Sequence, residues 1–589
     1  MAGLAALGVL AAWLLSTSWR RWPDPVIDFG KELYIPWRLS QGAMLYVDVD
    51  DFYGPFSQYF NAALFRVFGP GLMVLVTANL AIFGGIFALL YAGFRRTWGM
   101  AAALVAGAVF LALFSFSQGV PVGNYNYATP YAHEATHGML VVVGLVAILP
   151  AWVLRASRVR AAAAGLLFGL AAVIKPEFML AAGVLIAAAM LLKLRRRVWN
   201  RSEIGWLVAM AVLPTMAFAG YFSTRVSWGE AFGMAGRGWL NVVTTTSYTA
   251  DPAQIRFLGF DRPAENFVVE CKATLLALAL LGGVALAGWL MSRFRTIAWR
   301  FGFLVVSAAG IAWVSNHADW FEAGRCLSGL MLLYLGHVVW GLLRRPLADG
   351  LVTGTVLRLA WTLLASVLLS RMLLFGRTFH FGFYQAAIAG MIVPAVMLGD
   401  LPTWLRVSGW QRAAVTAGVL ALLAPGLHVL VAHSQALLRQ RTHPVGTGRD
   451  LFYTIAPETE PAGDIVAQTA AWLAHEKKPG QTLIVLPEGI MINYLARMPS
   501  PVAPFFFFSS ATRGDRETAL VQKLAARPPD WVAIISRDLR EFGLKRYGQG
   551  SDPGAQILGW VRPNYETAVE LGGDPLDPDD RGGVILSRK

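Results

Sequence analysis

The chain is 589 residues long and 56% hydrophobic, too apolar for a water-soluble protein of this size. Its formal charge of +14 invites a nucleic-acid partner, but the basic residues sit in short gaps between apolar runs, so none is expected. Two cysteines, Cys271 and Cys326, each at the end of an apolar run, supply neither a disulfide framework nor a metal motif.

Apolar runs of about 18–22 residues recur along the chain, each long enough for a hydrocarbon core of roughly 30 Å. About thirteen spans are predicted, at 2–18, 71–93, 99–116, 137–154, 161–174, 178–194, 204–223, 271–291, 298–315, 326–343, 351–374, 382–399 and 412–432. The even-numbered gaps are short and basic: Arg95-Arg96, then Arg155, Arg158 and Arg160, then Lys193 to Arg201, and so on to Arg406 and Arg412. The positive-inside rule places these gaps in the cytoplasm. The N-terminus is then cytoplasmic, and the odd-numbered gaps and the tail after residue 433 face outward. Residues 1–18 are followed by no small-residue cleavage site, and Trp19-Arg20-Arg21-Trp22 reads as an interfacial anchor.

All the long polar segments fall on the outer side. The first, 19–70, carries a predicted helix over Phe29–Gln41 and a second over Pro55–Phe68. The second helix shows an apolar stripe at Phe56, Tyr59, Phe60, Ala63, Leu64, Val67 and Phe68 and is expected to lie in the membrane interface. The tail alternates predicted helices (464–474, 517–526) with strands (482–486, 531–536, 584–587), a pattern for a small α/β domain without a Gly-rich phosphate loop. The fold class is therefore an α-helical polytopic membrane protein, with residues 1–432 forming the membrane domain and 433–589 an extracytoplasmic α/β domain. No internal repeat is visible, which weighs against a transporter.

Candidate chemistry concentrates in the outer gaps. Asp28 follows the first span by about ten residues, where partial desolvation would tune a carboxylate as a general base; capping the next helix is its alternative role. Glu32, one turn further on, would flank the same site. Asp48, Asp50 and Asp51 offer hard oxygen ligands, and a divalent metal there is the one cofactor the sequence leaves open. Tyr125, Asn126, His133 and Glu134 are read as lining a substrate cavity. His133 to His137 also fits the H-E-x-x-H zinc pattern, but no third ligand is in view. Lys175 at a tight turn, with Arg325, Arg377 and His380 in later outer gaps, suits a lipid phosphate, and Arg237 is a weaker candidate. His317 and Asp319 join the cavity set.

The first loop, Asp28-Phe29-Gly30-Lys31-Glu32 through Gly42-Ala43-Met44-Leu45-Tyr46 to Gly54-Pro55-Phe56 and Phe68-Gly69, resembles that of GT-C glycosyltransferases. The bacterial relatives of protein O-mannosyltransferases and the lipid A aminoarabinose transferases are the members it is most similar to. The Lys175-Pro176-Glu177 turn and the plan of many spans plus an outer domain add to the likeness. The resemblance implies an inverting transfer of sugar from a polyprenyl-phosphate donor to a lipid, glycan or protein acceptor on the outer face of a bacterial inner membrane. Asp28 maps onto the first-loop acid of that family, although the commoner adjacent Asp-Glu pair is here spread over four residues. A flippase for lipid-linked sugars or a membrane scaffold with an outer binding domain remains the alternative. Nothing in the sequence sets the oligomeric state.

Overall fold

A computed structural model describes residues 2–198, 200–244, 252–344, 349–377, 382–508, 514–544, 546–550 and 552–589. Every predicted span is a helix. The first nine helices are α1 (Ala2–Ser18), α2 (Phe29–Ser40), α3 (Phe56–Phe68), α4 (Leu72–Trp98), α5 (Met100–Phe110), α6 (His133–Leu154), α7 (Arg158–Ala172), α8 (Pro176–Arg195) and α9 (Arg201–Phe222). Long apolar helices follow at Pro263–Leu290, Ile297–Asn316, Leu327–Arg344, Asp349–Leu369, Ala387–Trp404 and Gly409–Arg439. Among the described residues, ten helices are long and apolar enough to cross a membrane, while α1 and the helix over Met100–Ser115 are shorter apolar helices. The chain is an integral membrane protein.

The shortest of the predicted spans, 161–174, becomes α7, which is 15 residues long and is held by backbone proximity rather than by length. A Cβ on Gly165 would lie 2.1 Å from the carbonyl oxygen of Leu207, and one on Gly169 2.3 Å from that of Ala211. This small-xxx-small face lets α7 and α9 touch main chain to main chain, where dispersion replaces the missing hydrophobic force of lipid. At the arginine-rich end of the bundle, Asp400 accepts from Trp98 Nε1 (2.9 Å), Tyr334 Oη (2.5 Å) and Arg358 Nη2 (2.7 Å), tying four helices together.

Helix α3 packs on the protein through its polar face. Its polar residues Ser57, Gln58 and Asn61 are buried, along with Ala62 and Phe65, whereas Phe60, Val67 and Phe68 are exposed. The apolar stripe faces away from the protein and the polar face turns toward the bundle.

After Gly409–Arg439 the chain forms a hairpin of β1 (Arg441–Val445) and β2 (Phe452–Ile455), then a four-stranded sheet of β3 (Leu483–Leu486), β4 (Trp531–Ile535), β5 (Tyr565–Gly572) and β6 (Gly582–Arg588). The order is β3-β4-β6-β5, with β3 parallel to β4 and the other pairs antiparallel. Strands β3, β4 and β6 were predicted; β5, β1 and β2 were not. Alternation along the strands sorts the core into two layers. Leu483, Val485, Ala533 and Ile535 join the large apolar cluster that continues into the helix bundle, whereas Ile484, Leu486, Val532 and Ile534 face a smaller cluster beyond the sheet.

The sheet region is stapled along the first loop. Arg441 donates to Pro23 O (2.7 Å) and Pro121 O (2.8 Å), Tyr453 N donates to Arg20 O (2.8 Å), and Ser500 N donates to Tyr34 Oη (2.8 Å). Asp50 N donates to Ala503 O (3.1 Å), and Leu72 N to Asp450 Oδ1 (2.8 Å).

Candidate active site

Asp28 occupies the turn that launches α2, with a φ of 64°, a conformation costly for a residue with a Cβ. Its side chain caps nothing. The local turn is satisfied instead by Asp24, whose Oδ1 accepts from the amides of Val26 (2.9 Å) and Ile27 (2.6 Å). Asp28 is thereby left half-buried, with a carboxylate that makes no hydrogen bond or ion pair among the described residues. Burial, and next the like charge of Glu488, push its pKa up to about 7 against the pull of Lys31. Tyr125 lies close enough that Asp28, after burial, is the main charge raising its phenol.

Glu32 has a different fate. It is fully buried, receives Lys31 Nζ at 2.7 Å, and accepts from the backbone amide (3.1 Å) and the ring Nδ1 of His133. Burial raises its pKa, but Lys31 and His133 more than reverse this and hold it at about 2. His133 uses its other nitrogen, Nε2, to accept from Asn79 Nδ2 (3.1 Å). Glu134 meets Gln58 (3.5 Å) and His137 meets Ser57 (3.0 Å), so the polar face of α3 is the lid of this network. With both His133 nitrogens engaged, the H-E-x-x-H residues serve as packing ties between α2, α3 and α6.

A cationic cluster reaches these acids through Tyr131, and a second lies further along the turn that carries Arg371. Lys175 is buried, donates to the hydroxyls of Tyr131 (2.7 Å) and Tyr384 (3.2 Å), and sits 4.4 Å from the Tyr53 ring centroid. Its carboxylate partner Glu177, at 3.2 Å, is shared with Arg371 at 3.6 Å. In the second cluster, Glu322 is shared by Arg325 and by Arg377 (3.4 Å). The turn after Asp349–Leu369 links the two, carrying Arg371 to one carboxylate and Arg377 to the other. A Cβ on Gly376 would come within 2.6 Å of Arg325 Cα, so glycine is required for this approach.

No protein-family model matches the chain, and no curated protein matches it significantly. Solved structures do. The apo oligosaccharyltransferase of Archaeoglobus fulgidus superposes with a TM-score of 0.50 at 13% identity, over 99% of this chain and 74% of that one. The chain shares the fold of that oligosaccharyltransferase. ArnT from Cupriavidus metallidurans bound to undecaprenyl phosphate aligns over 99% of this chain and 97% of its own, at 13% identity and a TM-score of 0.41.

Within this fold the remaining sequence candidates divide. Tyr125 is half-buried beside Asp28, and Asn126 is buried with its Oδ1 accepting from the amides of Ala128 and Thr129 (both 2.9 Å), shaping the loop before α6. His317 and Asp319 are exposed and turn back on their own segment: His317 Nδ1 to Trp313 O (2.7 Å), Asp319 Oδ1 to Phe321 N (2.9 Å). His380 lies outside the described residues. The acidic trio does not fit a metal, because each member faces a different cation. Asp48 pairs with Arg225 (2.5 Å), Asp50 with Arg237 (2.8 Å) and Asp51 with Lys31 (3.7 Å). Sequence reasoning missed Arg371, Tyr53, Tyr131 and Tyr384. Arg371 alone left a signal, as an arginine at the outer end of a predicted span.

Proposed function

We propose that this protein is a membrane glycosyltransferase, moving a sugar from a polyprenyl-phosphate donor to an acceptor at the end of the bundle that carries the sheet region. In this reading residues 1–432 form the catalytic domain, residues 433–589 lie outside a bacterial inner membrane, and the N-terminus is cytoplasmic. The GT-C fold supports the reaction class. The observation that carries the reading is the unspent, half-buried carboxylate of Asp28, set at the same end of the bundle as two clusters in which two cations share one carboxylate.

Asp28 is the general base. As the acceptor oxygen or nitrogen attacks C1 of the sugar, Asp28 takes its proton; the bond from C1 to the phosphate oxygen breaks and polyprenyl phosphate departs. Attack opposite the leaving group inverts the anomeric centre. Each cationic trio carries one net positive charge among the described residues, which suits the charge that grows on the departing phosphate. Lys175 and Arg371, with Arg325 and Arg377, are therefore assigned to the donor phosphate, and Glu32 to holding Lys31 and His133 in place behind Asp28. A base near pKa 7 is matched to neutral pH.

Purified protein in vesicles, supplied with a radiolabelled polyprenyl-phosphate sugar, should cleave the sugar–phosphate bond. A flippase would move the intact lipid across the bilayer, and an uncleaved donor recovered in the opposite leaflet would overturn the enzyme reading.

A further inference from the structure

The sheet region does more than cover the bundle. Its residues 488–506 run beside the first loop: a Cβ on Gly30 would lie 2.7 Å from the backbone nitrogen of Met491, Tyr34 holds Ser500, and Phe52 stacks on Phe506 at 5.8 Å. The exit of β3 is thereby brought against the turn that bears Asp28. Glu488 stands in that exit, buried, with Arg537 Nε donating to its Oε2 at 2.8 Å and Arg537 Nη2 donating to Glu541 at 2.6 Å.

We propose that Glu488 is a positioning residue of the Asp28 site: the C-terminal region presents a second carboxylate, braced by Arg537, whose charge opposes that of Asp28. The Glu488–Arg537 pair lies three residues from Met491, whose backbone nitrogen abuts Gly30 at the start of α2, so the pair is carried up to the Asp28 turn. The groups that face this pair are Lys31 on α2, Asp24 in the preceding turn, Tyr125 and Tyr131 from the loop before α6, and Arg537 and Glu541 beyond β4. Glu488 itself is pushed to about 7 by burial, against Arg537. Two acids in such proximity titrate as a pair, so the sheet region sets the pH at which Asp28 is free to accept a proton. This inference rests on Asp28 being the base.

The test is infrared difference spectroscopy of the full-length protein in vesicles, following protonated-carboxyl C=O bands as pH is stepped. The band lost in Asp28→Asn belongs to Asp28 and should titrate at about pH 7. In Glu488→Gln its midpoint should fall by about one pH unit or more, and Glu488→Asp should restore it toward the native value. An unmoved midpoint in folded Glu488→Gln overturns the inference. Should that variant not fold, Glu488→Met, which fills the same space without a charge, must lower the midpoint likewise; no fall is equally fatal. Turnover by Asp28→Asn is a separate readout: retained turnover sinks the base assignment while leaving the charge coupling standing.

Discussion

Two acids four residues apart in the first loop have been given opposite work by their surroundings. Glu32 is closed off by Lys31 and His133 and is ionised at every ordinary pH, whereas Asp28 is half-open, has no ion-pair partner among the described residues and is poised near neutrality. Replacing Glu32 by Gln strips buried Lys31 of its nearest anion and His133 of its carboxylate partner, which costs about 3–5 kcal/mol. A clear drop in melting temperature in detergent is expected; an unchanged melt would show that the network is not holding α2 to α6. For Asp28 the sign runs the other way. Its folded pKa lies above the ordinary 3.8, so its stabilising contribution is complete below that value and is lost as pH rises through about 7. Asp28→Asn should therefore melt with the native protein at about pH 4 and above it at about pH 8. Equal melting at both would mean that the carboxylate is not held against its charge. Asp28 was legible in the sequence because an acid just after a span stands out locally. The role of Glu32 was not, because its partner His133 lies on a helix 101 residues away.

At the level of elements, hydropathy located the helices well, because crossing a bilayer leaves one overt mark on sequence: length without charge. It did not say which way α3 turns. An apolar stripe means burial in a soluble protein, but beside a membrane lipid accepts that stripe as readily as a core does. The protein instead needs the polar face, for Ser57 and Gln58 to reach His137, Glu134 and Glu32. The strand β5 was missed for a related reason, since as an edge strand with Glu566 and Glu570 exposed it lacks a buried stripe. The junction of α3 with the α7–α8 turn offers a direct test. Gly54 N donates to Ile174 O (2.9 Å), and a Cβ at Gly54 would lie 2.2 Å from Val173 O. Gly54→Ala must push the two segments apart and carry Tyr53 away from Lys175. Donor cleavage should fall at least tenfold with the protein still folded, and native cleavage would show that this contact does not position the lysine.

Over the whole molecule, the sites of chemistry are assembled from segments that are distant in sequence and gathered at one end of the bundle. In the proposed reading the first loop supplies the base, the turns at 175–177 and 370–377 supply cations, and the sheet region brings Glu488 and Arg537 up to the first loop. The sequence marked that end by its long polar gaps, and it marked the tail as α/β. How the tail meets the first loop was hidden, since contacts such as Arg441 with Pro23 or Ser500 with Tyr34 leave no periodicity in either partner. The acidic trio at 48–51 looked like one unit and is three ion pairs, two of them with arginines of the segment 225–237. The central claim is that Asp28 performs the chemistry while other residues hold the donor. Native protein and Asp28→Asn, in matched vesicles with a labelled polyprenyl-phosphate sugar, should bind the donor equally while the variant turns over about 10²–10⁴-fold more slowly. Turnover by Asp28→Asn at the native rate would contradict the account.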